Sequence, residues 1–167
     1  DDLPPDLVAS SMSAPSTAGA NVDILVTDTT KNQGTGSALP SNTGFYLSTN
    51  LTLDGTDVWL ASRPVPSLGP GVTNQVSTTL HIPPSTSVGL YYVVAKADWE
   101  GTVTESSETN NVRASGAIRI GPDLIVSSVV APAAAAAGGT IDVSDTTKNQ
   151  GGGSSATSAT RFYLSTN

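Results

Sequence analysis

The chain has 167 residues, with seven Lys and Arg against fourteen Asp and Glu, a net charge of −7, one His and no Cys. Its cations are scattered singly on an acidic chain, which argues against nucleic-acid binding, because phosphate recognition needs clustered Lys and Arg. The absence of thiols excludes a disulfide framework and thiol chemistry, and no apolar run approaches the roughly 20 residues of a membrane-spanning helix. Apolar residues then alternate with period two along the chain, with no sustained helical period. Leu7 to Met12 reads as a first strand and Val22 to Thr27 as a second, with Val22, Ile24 and Val26 on one face. Gly44 to Ser48 and Val58 to Arg63 follow, then Gln75 to Ile82, with Val76, Thr78, Leu80 and Ile82 on one side. Leu90 to Asp98 puts Tyr91, Val93, Ala95 and Ala97 together, and Val112 to Ile120 is the last run. Turn chemistry separates them: Asn32-Gln33-Gly34, Asp54-Gly55, Leu68-Gly69-Pro70-Gly71, Pro83-Pro84 and Trp99-Glu100-Gly101. Seven short strands punctuated in this way predict an all-β, antiparallel Greek-key sandwich.

The chain also repeats itself. Pro5-Asp6-Leu7 recurs as Pro122-Asp123-Leu124, Asp28 through Gly34 recurs letter for letter as Asp145 through Gly151, and Phe45 through Asn50 recurs as Phe162 through Asn167. Each pair is 117 residues apart, so the copies align without a gap. A unit of this length matches one sandwich domain rather than a solenoid turn. The expected organisation is a complete sandwich over residues 1–121 and the first part of a second over residues 122–167. Ala133 to Ala137 is read as loop, since its counterpart, Ser16 to Ala20, is loop and Gly138-Gly139 follow. The partial copy holds Ile125, Ile141, Val143, Phe162 and Leu164, apolar positions whose partner strands lie outside these residues. Strand edges and apolar faces of that kind recruit another chain. Neighbouring copies of the same repeat, in this chain or another, are therefore the expected partners.

The series of Asp-Leu, Thr-Lys-Asn-Gln-Gly, Phe-Tyr-Leu-Ser, Tyr91 through Asp98 and Glu108-Thr109-Asn110-Asn111 resembles the CARDB family, bacterial cell-adhesion-related domains. The resemblance covers residues 5–120 and the partial copy. It implies a seven-stranded immunoglobulin-like sandwich in tandem, an extracellular setting (secreted or cell-surface) and no catalytic residue. Gly89-Leu90-Tyr91-Tyr92 stands where immunoglobulin-like domains carry a tyrosine corner, a ring whose hydroxyl reaches back to upstream backbone.

Residues for chemistry are few. His81 lies between Leu80 and Ile82, hence on the opposite, solvated face, and no triad or Gly-x-Ser-x-Gly elbow accompanies it. Gly34-Thr35-Gly36 is followed by neither a phosphate-binding Lys nor a helix. Lys96 and Lys31 are poorly placed for an intramolecular isopeptide bond, and Asn50-Leu51-Thr52 is a formal glycosylation sequon. No organic cofactor is implied. Calcium needs about six to eight oxygen ligands. The carboxylates that could supply them are Asp54 and Asp57 in one turn, and Asp98, Glu100, Glu105 and Glu108 around the loop before the last strand. Against this, there is no Asp-x-Asp-x-Asp-Gly loop, and Asp54-Gly55 is ordinary hairpin chemistry.

The expected function is structural: a spacer or adhesion module of a bacterial surface protein or extracellular fibre. Only Gly121-Pro122 separates Ile120 from the restart of the repeat, a joint too short for free interdomain motion. The rival is a glycan- or protein-binding module, for which Trp59 and Trp99 are the aromatic candidates, or an accessory domain of a secreted enzyme.

Overall fold

A computed structural model describes residues 4–166. Residues 4–121 form two facing sheets. One is three-stranded, in the order β1 (Leu7–Ser13), β3 (Asp23–Asn32), β6 (Thr73–His81). The other is six-stranded: β2 (Thr17–Ala18), β9 (Ile118–Ile120), β7 (Gly89–Lys96), β4 (Ser41–Ser48) and β5 (Val58–Val65) in order, with β8 (Val112–Ala114) also on β7. Ile24, Val26, Leu80 and Ile82 from the first sheet meet Phe45, Leu47, Val93, Ala95, Ile118 and Ile120 from the second in one buried core. A smaller cluster of Leu7, Ala38, Val65, Leu68, Ala97 and Val103 closes one pole. The immunoglobulin-like sandwich is therefore built as the alternation requires, with inward residues at every second position.

All seven expected runs are present, but the last is divided and one strand is added, since β2 falls within Ser16–Ala20, which the sequence reads as loop. Ala14-Pro15 ends β1, since proline has no N–H for the ladder. The chain then crosses to the other sheet, where β2 pairs parallel to β9, so the sandwich is not wholly antiparallel. The last run breaks at Ser115. Its amide still donates to the Val93 carbonyl (2.8 Å), while its hydroxyl accepts from the Val93 amide (3.0 Å) and donates to the Gly116 carbonyl (2.7 Å). A side chain thus replaces a ladder partner at an irregularity. Two further differences are local. Val22 precedes β3 and is exposed, and β3 runs on through the supposed turn residue Asn32.

That continuation brings two buried polar groups inside. Ile24, Val26, Asp28, Thr30 and Asn32 share the inward face of β3. Asp28 is paired with Arg63 of the opposite sheet, Nε to Oδ1 at 2.7 Å and Nη2 to Oδ2 at 2.6 Å, with both side chains buried. The other guanidinium bonds go to the side-chain and backbone oxygens of Asn74, the Pro64 carbonyl and Thr30 Oγ1, which itself bonds Thr43 Oγ1 at 2.7 Å. Every nitrogen has an acceptor, as a buried cation requires. Pro64 is tolerated because β5 is an edge strand. Asn32 is equally saturated: Oδ1 accepts from the Asp6 and Gly34 amides, and Nδ2 donates to the Gly36 and Leu68 carbonyls.

Residues 122–166 reproduce the opening of this unit. β10 (Leu124–Val130) pairs with β11 (Ser144–Asn149) in the register of β1 with β3, shifted by 117, down to the irregularity at Val126/Ser128 in place of Ala9/Ser11. Asn149 repeats the Asn32 bonds to Asp123, Gly151 and Gly153. Beyond β11 no strand forms among the described residues, and Phe162 and Leu164 are exposed where Phe45 and Leu47 are buried. Arg63→Met is expected to destabilise the sandwich by about 3–5 kcal/mol, because it strands the Asp28 carboxylate in the core. Urea unfolding measures this, and Asp28→Asn combined with Arg63→Met should recover part of the loss.

Candidate functional site

The expected acidic site lies on two loops, and the fold separates them. The β7–β8 loop begins at Asp98, in left-handed backbone (φ 43°), and turns through Gly101 (φ 65°). The Asp98 carboxylate accepts from the Thr102 amide and hydroxyl and from the Val103 amide (2.9 Å), which closes the turn and places Val103 in the smaller apolar cluster. Glu100 accepts from Asn42 Nδ2 at 3.0 Å. Glu105 accepts from the Leu7 amide and from Asn111 Nδ2, and Glu108 accepts from the Glu105 amide. The same loop bonds the start of the chain through the Ser106 amide to the Pro5 carbonyl and Asn110 Nδ2 to Asp6 Oδ1. These carboxylates therefore act as internal caps of a loop that clasps the first strand.

Partial burial pushes the Glu105 carboxyl up to about 7, with the Leu7 amide opposing, the Glu108 charge reinforcing, Asn111 opposing and the Asp98 charge reinforcing. Asp54 behaves in the opposite way. The Thr56 hydroxyl and amide and the Asn50 side chain hold it below the usual carboxylate value, at a fully exposed turn. Asp57 accepts from the Asp54 amide at 2.9 Å. This turn follows Ser48, which pairs with Tyr92, whereas Asp98 and Glu100 stand beyond the Gly44–Lys96 pair. The six candidates thus divide between the two ends of β4. Among the described residues no three His, Cys, Asp or Glu side chains converge as a metal-binding group.

The aromatic candidates form a single feature. Tyr46, Trp59 and Trp99 pack in sequence on the outer face of the six-stranded sheet, with ring centroids 5.1 Å and 4.6 Å apart. Gly44 makes room for them, since a Cβ there would sit 2.8 Å from Trp99 and 2.9 Å from Trp59. Trp59 keeps 42% of its surface exposed; Trp99 is half-buried, and its Nε1 has no hydrogen-bond partner. Burial raises the Tyr46 hydroxyl pKa above its ordinary value. Tyr91, the expected corner, instead lays its ring against the core beneath Gly89, and among the described residues its hydroxyl makes no bond to upstream backbone. His81 is on the solvated face as expected, 2.7 Å from Asp23. Sequence reasoning missed the Arg63–Asp28 pair. Its signal was Asp28 in register with Ile24 and Val26, an inward carboxylate that demands a buried cation.

Residues 4–115 and 121–167 match the CARDB family. The chain belongs to the CARDB family. CARDB is a non-catalytic module. The fold is similar to the CARDB domain of a Pyrococcus furiosus protein, crystallised in complex with di-metal ions: 23% identity over 70% of this chain and 88% of that one, TM-score 0.53. It is also similar to the solution structure of a domain from a presumed cell-surface protein of Methanosarcina acetivorans, with 23% identity over 70% and 92% of the two chains and a TM-score of 0.51. At such identity these likenesses speak for the fold alone. No curated protein matches the chain.

Two outcomes are expected. A carboxyl whose folded pKa exceeds its unfolded value holds more protons when folded, so its stabilisation is complete below about 4.5 and is lost as pH rises toward about 7. The melting temperature of the chain should fall through that window, and Glu105→Gln should flatten the fall in calorimetry; superimposable profiles would exclude the effect. Because the loop carboxylates are already occupied by internal donors, excess chelator or added calcium should leave the melting temperature unchanged, whereas calcium binding to the folded chain would raise it.

Proposed function

We propose that this chain is a structural spacer of an extracellular, cell-surface protein, with residues 1–121 as a complete CARDB module and residues 122–167 as the opening of another. One observation carries the reading. The chain enters the first sandwich where Leu7 pairs with Asn32, at the pole of Ala97 and Val103, and leaves it where Ile120 pairs with Gly89, at the opposite end of β7. A module with its termini at opposite poles, followed at once by a repeat of its own opening, lengthens a chain end to end. The surface setting draws on the likeness to the Methanosarcina domain. Exposed Phe162 and Leu164 are the positions that further strands of the second module, from the same chain or a neighbouring one, would cover.

A binding module is the second reading, favoured by the exposed Trp59 on the outer sheet face, since a free indole can stack on a sugar ring or a partner's side chain. The spacer reading makes Tyr46, Trp59 and Trp99 a packed cover for Gly44. Probing a glycan array with the chain and with Trp59→Ala separates the two. Background signal from both is expected, and specific binding that disappears in Trp59→Ala would overturn the spacer reading.

A further inference from the structure

We infer that the exit pole of the first repeat is a specific docking surface for the Asn149–Gly153 turn of the second, a joint whose pose depends on Gly19 and Gly152. This deepens the spacer reading and rests on it for its biological sense, though not for its geometry. Gly152 lies directly on the backbone of Ala18: a Cβ there would come within 2.4 Å, 2.5 Å and 2.6 Å of the Ala18 carbonyl carbon, Cα and amide nitrogen. A Cβ on Gly19 would in turn meet the Gly152 carbonyl oxygen at 2.7 Å and Gly153 Cα at 3.1 Å. These obstacles are backbone atoms, which cannot swing aside as a side chain would. Nor can Ala18 yield easily, because β2 is held to β9 and its own side chain is buried in the first core.

Gly121 links the two surfaces. Its amide donates to the Ala18 carbonyl of the first repeat (3.0 Å), and its carbonyl accepts from the Gly153 amide of the second (3.0 Å). Its φ of 130° and the 2.8 Å approach of Val88 to a would-be Cβ admit only glycine. The second of these bonds recurs in the first repeat as Gly36 to Pro4 (3.2 Å), so it belongs to the turn's own fold, and the contact between repeats rests on Gly19 and Gly152.

The duplication supplies an internal control. Gly151 packs against its own repeat, with a Cβ 2.5 Å from the Asp123 amide nitrogen, and the matched Gly34 does the same against Asp6 at 2.5 Å. That glycine is present in both copies because each needs it to fold. Gly152 and Gly19, on which the contact between repeats depends, are not duplicated. The position matched to Gly152 is Thr35, which is exposed, and the position matched to Gly19 is Ala136. The first repeat's turn could not dock in this pose, since the Thr35 side chain would enter the Ala18-type backbone; nor could the second repeat's pole receive a turn in this pose past the Ala136 Cβ. The two copies are differentiated where they meet, so this joint specifies which module follows which, and it holds their relative orientation.

Residual dipolar couplings on the full chain test this directly. The β10–β11 amides should share one alignment tensor with β3, β6 and β7. Gly152→Thr, which installs the first copy's residue, should split the tensor in two. Thr35→Gly at the matched exposed position should change neither. If Gly152→Thr instead unfolds the β10–β11 hairpin, Gly19→Ala decides, because it leaves the second repeat's sequence untouched and should also split the tensor. Independent tumbling of the wild-type hairpin, or a single tensor retained in Gly152→Thr or in Gly19→Ala with the hairpin intact, overturns the inference. Glycan binding through Trp59 would defeat the spacer reading while leaving these couplings unchanged, so the two failures are distinct.

Discussion

The sandwich turns on a charge pair that joins its two sheets. Side chains of a hydrophobic interface slide past one another at little cost, whereas the bidentate contact of Arg63 on β5 with Asp28 on β3 has a direction and a register. Thr30, Thr43 and Asn74 complete its hydrogen bonds from both sheets, so no polar atom of the guanidinium is left without a partner. A pair of this kind adds less net stability than an apolar replacement of the same volume can, because both ions are desolvated. What it provides is alignment: the facing strands cannot shift by a residue without burying an unpaired charge. The apolar core of Phe45, Leu47, Ile24, Val26 and Leu80 packs around that alignment.

A second constraint acts at the poles. Asn32 and Asn149 each gather the first residues of their repeat and the turn that follows β3 or β11 around one amide side chain. Because all those partners are near in sequence or on the paired strand, this unit forms in the second copy as in the first. The left-handed position before β3 shows the same economy: Asn21 (φ 59°) and Gly138 (φ 76°) occupy matched sites with different residues and one backbone conformation. The strand that should follow is different. Residues 158–165 match β4, yet β4 is held by β5 on one side and β7 on the other, and without such neighbours the matched segment forms no ladder among the described residues.

These constraints are the ones on which the proposed spacer role draws. Of the loop carboxylates weighed as a cation site, Glu105 holds the chain's start and Asp98 closes its own turn. The aromatic residues cover a glycine-floored patch of sheet. In the inferred joint, the exit pole receives the turn of the next repeat. Trp59 is left as the principal exposed aromatic on the outer sheet.

Alternation and turn residues by themselves determined the all-β class, the seven strand positions and the inward sets of β6 and β7, because a strand's side chains face opposite ways at every step whatever the strand pairs with. The exact recurrence of Asp28 to Gly34 likewise determined the repeat and its length. Only the tertiary structure decided what depends on distant chain segments meeting. That Asp28 faces Arg63 requires both sheets to be in place, and that the chain crosses after β1 to pair β2 with β9 requires the last strand to be waiting there. That six acidic residues fall at two ends of β4 follows from its pairing with β7. That Gly152 is needed where Thr35 is harmless follows from contact with Ala18 across the joint, which no local pattern encodes.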